Sequence, residues 1–181
     1  GFATLAIPLA FDGRWTAAAW AIEGAALLWV GIRQQRLSAR LFGILLQLLA
    51  GLFQFSEPPA GAAGWPLLNS VFLGGLLLTL AGLFCAWLLQ REWRREPRCL
   101  RPQERALAPL LFVWGVGWWS GSGLHEIDAH MPGALHLNAA VAFFTASCLV
   151  FAWLERRLAW PAARLAALAL LPLLLLLALL S

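Results

Sequence analysis

Long apolar runs separated by short polar turns dominate the chain and divide it into seven segments. The segments predicted to be helices are Gly1–Phe11, Thr16–Ile32, Leu37–Phe55, Pro66–Gln90, Arg105–Ser120, Gly133–Leu154 and Trp160–Leu180. A helix needs about 20 apolar residues to cross a membrane, with a range of about 17–25. Strands are not expected, because sheet edges exposed to lipid leave backbone groups without hydrogen bonds. The pattern therefore predicts an all-α polytopic transmembrane bundle of about seven helices, arranged as hairpins.

The first apolar segment, Gly1–Phe11, is too short to span a membrane alone. The sequence has no initiator methionine and opens inside this run. We therefore expect the first helix to be truncated. We interpret residues 1–181 as a single transmembrane helical domain and as a piece of a longer multi-pass protein.

The composition supports a membrane location and excludes an ordinary soluble domain. The chain is 61% hydrophobic and 12% charged, whereas soluble domains are about 45–50% apolar and about 25% charged. The three cysteines, Cys85, Cys99 and Cys148, are too few and too widely spaced to predict a disulfide framework or a zinc site. No nucleophile elbow or phosphate-binding loop is found, so no cofactor is predicted.

The arginines are distributed unevenly between the two sets of turns. The set that carries most of them contains Arg33, Arg36, Arg40, Arg91, Arg94, Arg95, Arg98, Arg101, Arg105, Arg156, Arg157 and Arg164. The turns at 12–15, 56–65 and 121–132 contain only Arg14. Basic residues concentrate in cytoplasmic loops, so the arginine-rich turns are predicted to be cytoplasmic and the others periplasmic. Heavy use of Ala, Leu and Arg suggests a GC-rich bacterial genome, and the predicted location is the bacterial inner (plasma) membrane.

The densest group of arginines lies between the fourth and fifth predicted helices. Its members are Arg91, Arg94, Arg95, Arg98, Arg101 and Arg105. We expect them to contact anionic lipid headgroups. Nucleic acid is not expected as a partner, because no aromatic residues are interleaved there for base stacking. The other predicted partners are membrane lipid and the remaining helices of the full-length protein.

One carboxylate, Glu23, lies within the apolar run of the second segment. A charged Asp, Lys or Arg at the centre of such a helix costs about 2.5–3.5 kcal/mol on insertion scales, so this helix should face protein or water on one side. The polar side chains predicted to be buried are Glu23, Gln47, Gln54, Asn69 and Asn138. A structural role in hydrogen bonding and a functional role both remain open for Glu23.

Small and polar residues recur at spacings that place them on one helix face. The predicted faces are Ala17, Ala21 and Ala25; Gly43, Gln47, Ala50, Gly51 and Gln54; Gly75, Thr79, Gly82 and Ala86; and Asn138, Ala142 and Thr145. Small residues allow helix backbones to approach closely within lipid. We therefore predict these faces to be packing surfaces.

The turn at 121–132 contains the sequence HEIDAH, with two imidazoles and two carboxylates. His125 and His130 are candidate metal ligands. Their spacing is not that of HExxH, in which both histidines share a helix face. A polar turn without metal is the competing interpretation. The candidate site residues on the outer side are Arg14, His125, Glu126, Asp128, His130 and His136.

The run AIPLAFDGRWTAAAWAIEGAALLWVGIRQQR resembles a known bacterial family. The residues that carry the resemblance are Asp12-Gly13, Trp15-Thr16, Trp20-Ala21, Glu23-Gly24 and Leu28-Trp29 followed by Gly31. A weaker likeness covers Asn69, the Trp114–Trp119 region with Glu126, and Arg156 to Pro161. The family is the multi-pass membrane proteins of domain-of-unknown-function family 2339. The resemblance implies consecutive membrane hairpins after an N-terminal soluble segment, and no established activity.

Three classes of function are compatible with this sequence. The first is a structural or accessory component of the cell envelope, with an outward-facing polar recess around Glu23. The second is a transport-type protein in which Glu23 binds a cation or relays protons. The third is a membrane enzyme acting on envelope lipid or glycan, with Glu23 and the HEIDAH residues at a periplasmic site.

Overall fold

The computed structural model describes residues 13–56, 65–96 and 100–169. Six helices lie in this part of the chain: α1 (Gly13–Arg33), α2 (Leu37–Ser56), α3 (Ser70–Arg95), α4 (Pro102–His130), α5 (His136–Leu158) and α6 over residues 161–169. A short 3₁₀ helix, Gly133–Leu135, precedes α5. The all-α prediction is confirmed, but the described residues form six helices rather than seven. The predicted helix Gly1–Phe11 lies outside them.

Four helices in the described ranges are long and apolar enough to cross a membrane. They are Trp15–Arg33, Leu37–Ser56, Ser70–Arg95 and Gly133–Leu158. The helix α4 is not among them, although the sequence predicts a span there. Its middle, VWGVGWWSGSG, mixes glycine, serine and tryptophan among the apolar residues and so lowers the mean hydropathy. By length and composition, the described residues therefore contain four candidate membrane spans.

The chain divides into two compact units, Gly1–Ser122 and Gly123–Ser181. The boundary falls inside α4, which is continuous in sequence across it. Each unit is described by itself below. The interpretation of residues 1–181 as one domain stays a prediction.

In the first unit, α1 and α2 form an antiparallel hairpin with a very close backbone approach. Gly24 and Gly43 face each other, and a Cβ atom at Gly24 would lie 2.6 Å from the carbonyl oxygen of Gly43. Farther from the turn, the rings of Trp20 and Phe53 pack with their centroids 5.5 Å apart. Glycines at the crossing point therefore set the distance between these two helices.

The starts of α3 and α4 are fixed by local hydrogen bonds. Asn69 Oδ1 accepts a hydrogen bond from the backbone N–H of Phe72 at 2.8 Å, so α3 begins at Ser70 rather than at Pro66. At the start of α4, Glu104 Oε2 accepts one from the backbone N–H of Arg101 at 2.6 Å. Proline suits the first helical position, and α4 begins there, three residues before the predicted start.

The helix α4 runs antiparallel to α3 along most of its length in the first unit. Near one end, the guanidinium of Arg105 lies 5.5 Å from the ring centroid of Trp93. Near the other, Ser122 lies so close to Gly75 that a Cβ atom there would overlap its hydroxyl. The helix rise of 1.5 Å per residue makes the stretch from Arg105 to Ser122 about 26 Å long. This length approaches the roughly 30 Å hydrocarbon thickness, so α4 accompanies the span α3 while packed against protein.

The second unit begins with the end of α4, where the predicted turn at 121–132 is wrong. The helix continues to His130, and the 3₁₀ helix begins at Gly133. Gly123 does not break the helix, because its missing side chain makes room for the ring of Phe143. The contact between the side chains of Glu126 and His130, four residues apart on the same helix, also supports the added turns.

The helices α5 and α6 form an antiparallel hairpin within the second unit. Ala159 ends α5 in a left-handed conformation with φ of 48°. Cys148 Sγ then lies 3.6 Å from the carbonyl oxygen of Ala167 on α6. The described part of α6 begins at residue 161, one residue after the predicted start. Residues 170–180 of the predicted helix lie outside the described residues.

Candidate functional site

Gln47 is the most completely buried of the predicted polar residues, with 0% of its surface exposed. Its Nε2 donates a hydrogen bond to the carbonyl oxygen of Ala21 at 2.6 Å. The same nitrogen lies 4.0 Å from Cys85 Sγ. The side chain therefore joins α1, α2 and α3 at one level of the first unit.

Glu23 is half-buried on α1 rather than fully buried. Its side chain is not free, because it takes part in an interaction within the structure. Gly24, the next residue, faces α2 and is buried. The carboxylate therefore lies at the edge of the helix interface and not at its centre.

The remaining polar residues that the sequence predicts to be buried have different surroundings. Gln54 is 9% exposed and packs its amide against Gly74. Asn69 is half-buried and caps α3, a local role that leaves it outside the bundle interior. Asn138 is exposed, so its predicted burial is wrong for the described second unit. The buried positions on α5 belong to Ala140, Phe144, Ser147 and Phe151.

The predicted packing faces of α1, α2 and α3 are confirmed. The buried members are Ala17, Ala21 and Ala25 on α1; Gly43, Gln47, Ala50, Gly51 and Gln54 on α2; and Gly75, Thr79, Gly82 and Ala86 on α3. The predicted face of α5 is wrong, because Asn138, Ala142 and Thr145 are all exposed. Helical spacing of small residues therefore identified the buried faces of α1, α2 and α3 correctly.

The histidines and acids of the second unit form two separate pairs. His130 Nδ1 lies 3.2 Å from Glu126 Oε1, and Glu126 is buried. His136 Nδ1 lies 3.4 Å from Asp128 Oδ1. His125 is exposed. Within the described ranges, no group of three or more His, Cys, Asp or Glu side chains could hold a metal ion. Metal binding by His125 and His130 therefore stays a prediction that no described third ligand supports.

Arg14 is the remaining outer candidate, and the structure describes only its backbone. It lies in the first turn of α1, at the opposite end of that helix from Arg33. The outer candidates Arg14 and His125–His136 belong to different units of the chain.

A buried ion pair between Arg40 and Glu104 is the polar feature that sequence reasoning missed. Arg40 Nε lies 3.2 Å from Glu104 Oε1, and the two side chains are only 5% and 4% exposed. The sequence assigns Arg40 to the exposed arginine fringe. A signal was nevertheless present, because Arg40 lies three residues before Gly43 and seven before Gln47, on the same helix face.

Four arginines in the described part of the chain lie over tryptophan rings. The pairs are Arg33 over Trp29, Arg91 over Trp87, Arg105 over Trp93 and Arg157 over Trp153, with distances from guanidinium carbon to ring centroid of 4.9–5.8 Å. Each involves an arginine-rich helix end. Cation–π contacts hold a cation close to an amphipathic ring, and tryptophan prefers the membrane interface.

Residues 1–181 match the model of a family described as predicted membrane protein (DUF2339). The chain belongs to this family. Membership in DUF2339 confirms the resemblance carried by Asp12 to Gly31. No curated protein and no solved structure matches the chain. The DUF2339 assignment and the four apolar helices together make it a multi-pass membrane protein of unknown function.

Proposed function

We propose that this chain is a structural or accessory component of the bacterial cell envelope, a helical scaffold in the inner membrane. The observation that carries the proposal is the use of the buried polar side chains. Arg40 pairs with Glu104, which joins α2 to α4, and Gln47 binds the Ala21 backbone, which joins α2 to α1. A chain that uses a buried ion pair and a buried amide for contacts between helices is suited to holding a fixed arrangement.

The arginines of the first unit support a definite orientation in this membrane. The antiparallel packing gathers the end of α1, the start of α2, the end of α3 and the start of α4 at one end. The described arginines there are Arg33, Arg36, Arg40, Arg91, Arg94, Arg95, Arg101 and Arg105. This end is cytoplasmic in our proposal, because basic residues remain on that side during insertion.

The opposite end of the first unit supports a polar recess that opens toward the periplasm near Glu23. Gln54 packs against Gly74 there, and Ser122 lies against Gly75. Glu23 lies near the middle of α1, eight residues from Trp15, where the candidate span begins, and ten from Arg33, where it ends. Polar side chains in the outer half would let water reach the carboxylate without crossing the whole bundle.

Replacing Glu23 by glutamine tests the scaffold against the other two functions. Glutamine keeps the size of the side chain and one acceptor oxygen, but it removes the charge and replaces the other oxygen by an NH2 donor. We expect cells carrying E23Q in the full-length protein to keep wild-type protein level and wild-type resistance to detergent and antibiotics. The comparison strain lacks the gene altogether.

The opposite outcome would favour transport or catalysis. If E23Q reproduces the deletion phenotype while its protein level stays normal, the carboxylate acts chemically and the scaffold proposal fails.

A separate labelling experiment tests the side of the membrane to which the recess opens. A single cysteine at position 23 should react with a membrane-impermeant maleimide added from the periplasm, whereas labelling only from the cytoplasm contradicts the recess.

We further propose that anionic lipid headgroups bind the arginines between positions 91 and 105, at the end of α3, the start of α4 and the segment between them. The proposed set is Arg91, Arg94, Arg95, Arg98, Arg101 and Arg105, of which Arg98 lies outside the described residues. Two members are held against rings: Arg91 lies 4.9 Å from the Trp87 centroid, and Arg105 lies 5.5 Å from that of Trp93. These rings keep the guanidinium groups at interface depth, where lipid phosphates lie.

The double variant R91Q/R105Q should bind phosphatidylglycerol about 30-fold more weakly than wild type. Each arginine near an anionic surface contributes about 1 kcal/mol, and a total of about 2 kcal/mol corresponds to this factor. Native mass spectrometry of protein released from nanodiscs with and without phosphatidylglycerol measures the retained lipid. R36Q, at an exposed arginine in the α1–α2 turn, is the control. An equal loss in R36Q would indicate general charge attraction instead of a site.

A further inference from the structure

A tight turn at residues 65–68 precedes α3 and has leucine at a position that usually requires glycine. The backbone N–H of Leu68 donates a hydrogen bond to the carbonyl oxygen of Trp65 at 3.1 Å. Pro66 is the second residue of this turn, and Leu67 is the third, with φ of 65°. This is the pattern of a type II turn, whose third residue needs a positive φ and is usually glycine or asparagine. A bulky residue in that conformation is strained, so a gain elsewhere must offset the strain.

The large apolar side chains of this turn are all exposed in the structure. Trp65 is 80% exposed, Leu67 55% and Leu68 73%. Pro66 has no backbone N–H, and the N–H of Leu68 donates within the turn. The side chain of Asn69, the next residue, caps α3. The turn therefore presents a mainly apolar surface with few backbone donors, which suits contact with hydrocarbon better than contact with a polar partner.

The place of the turn in the chain indicates that lipid covers this surface. The helix α3 is a candidate membrane span and begins at Ser70, two residues after the turn. No charged residue lies between Glu57 and Arg91 in the sequence, whereas the other end of α3 is rich in arginine. An uncharged apolar turn directly before a span lies at the level of the bilayer interface, which is also where tryptophan is preferred.

We propose that Trp65, Leu67 and Leu68 form a wedge that enters the lipid leaflet at this end of α3. The partner is the boundary between the glycerol groups and the acyl chains of the bilayer. Removing the two leucines and the indole from water stabilises the inserted turn in proportion to the apolar area buried, and this gain offsets the strain at Leu67. The inference needs α3 to cross the membrane, but it does not depend on the scaffold proposal.

Fluorescence quenching of the full chain in nanodiscs tests the wedge directly. The native cysteines are replaced by alanine, and bimane is attached to L68C, to D128C or to L52C. Asp128 has a 79% exposed carboxylate and is the aqueous reference, whereas Leu52 is 63% exposed on the span α2 and is the lipid reference. We expect lipids with a nitroxide near the headgroup to quench L68C about threefold more strongly than D128C, because the turn lies at the interface. Aqueous iodide should show the reverse order.

Two outcomes of this experiment would overturn the proposal. If L68C responds to both quenchers as D128C does, the turn lies in water. If L68C is protected from iodide and from nitroxide lipids, whereas L52C is quenched by the lipids, then protein covers the turn instead of lipid.

The variant W65S/L67N tests whether the apolar side chains hold the turn in the leaflet. Asparagine tolerates a positive φ, so the turn and the Asn69 cap should persist and the helix content should not change. We expect the variant to lower nitroxide quenching at L68C by about twofold and to raise iodide quenching, because it removes most of the apolar area of the wedge. W29S is the matched control, since Trp29 is exposed at the arginine-rich end of α1, and it should change neither value. Unchanged quenching in W65S/L67N, or an equal change in W29S, contradicts the wedge.

Discussion

Replacing Arg40 by methionine should lower the free energy of unfolding by about 3–5 kcal/mol. The side chain of Glu104 is only 4% exposed, so the variant would leave its carboxylate buried beside an apolar group. The loss of one partner is costly because the remaining charge has already been removed from water. Reversible unfolding of the full chain in mixed micelles measures the effect.

A double variant separates the ion pair from the packing around it. R40M/E104L removes both charges and should recover most of the stability, because a buried ion pair and an apolar pair of similar volume are often nearly equivalent. The control R36M replaces an exposed arginine just before α2 and should change stability by less than about 0.5 kcal/mol. If R40M and R36M have equal effects, the pair does not stabilise the bundle.

The sequence predicts the helices well because lipid-compatible runs are long and sharply bounded. The predicted α2, Leu37–Phe55, differs from the observed Leu37–Ser56 by one residue. The faces of α1 to α3 are also predictable, because the buried side of each carries small residues at helical spacing. In the structure, small residues on the facing sides of α1 and α2 meet at the contact between Gly24 and Gly43.

The length of α4 could not be predicted from apolar runs and helical spacing. Glycine and serine near position 121 are typical of turns, and hydropathy falls before the helix ends. What extends the helix is packing, since Gly123 makes room for Phe143. Such a contact joins residues distant in sequence, and local composition does not reveal it.

The candidate site was predictable in part, for a related reason. Gln47 stands out because it is an amide within an apolar run, and it is buried as expected. Arg40 does not stand out, because one more arginine in a basic turn resembles its neighbours. Only the position of Glu104 on another helix distinguishes it. Counting the charges in each turn predicts the side of the membrane on which the turn lies. It does not show which of those charges is buried.

Replacing Gly43 by leucine should destabilise the first unit by about 3 kcal/mol, at the upper end of the usual cost of overpacking. A Cβ atom at Gly43 would lie 2.5 Å from the carbonyl oxygen of Gly24 and 2.8 Å from the backbone nitrogen of Leu28. Both are backbone atoms, so no side chain can move aside to relieve the overlap. The hairpin must open, and the hydrogen bond from Gln47 to Ala21 should be lost with it.

The alanine variants sharpen this prediction, because the same chemical change should have opposite signs at two glycines. G43A should still be destabilising by about 1–3 kcal/mol, since a single Cβ already overlaps the α1 backbone. Gly117 on α4 has nothing within 4 Å of its Cβ position. G117A should therefore stabilise by up to about 1 kcal/mol, because alanine is the better helix former. Equal effects of G43A and G117A in the same unfolding measurement would mean that the α1–α2 approach is looser than its geometry requires.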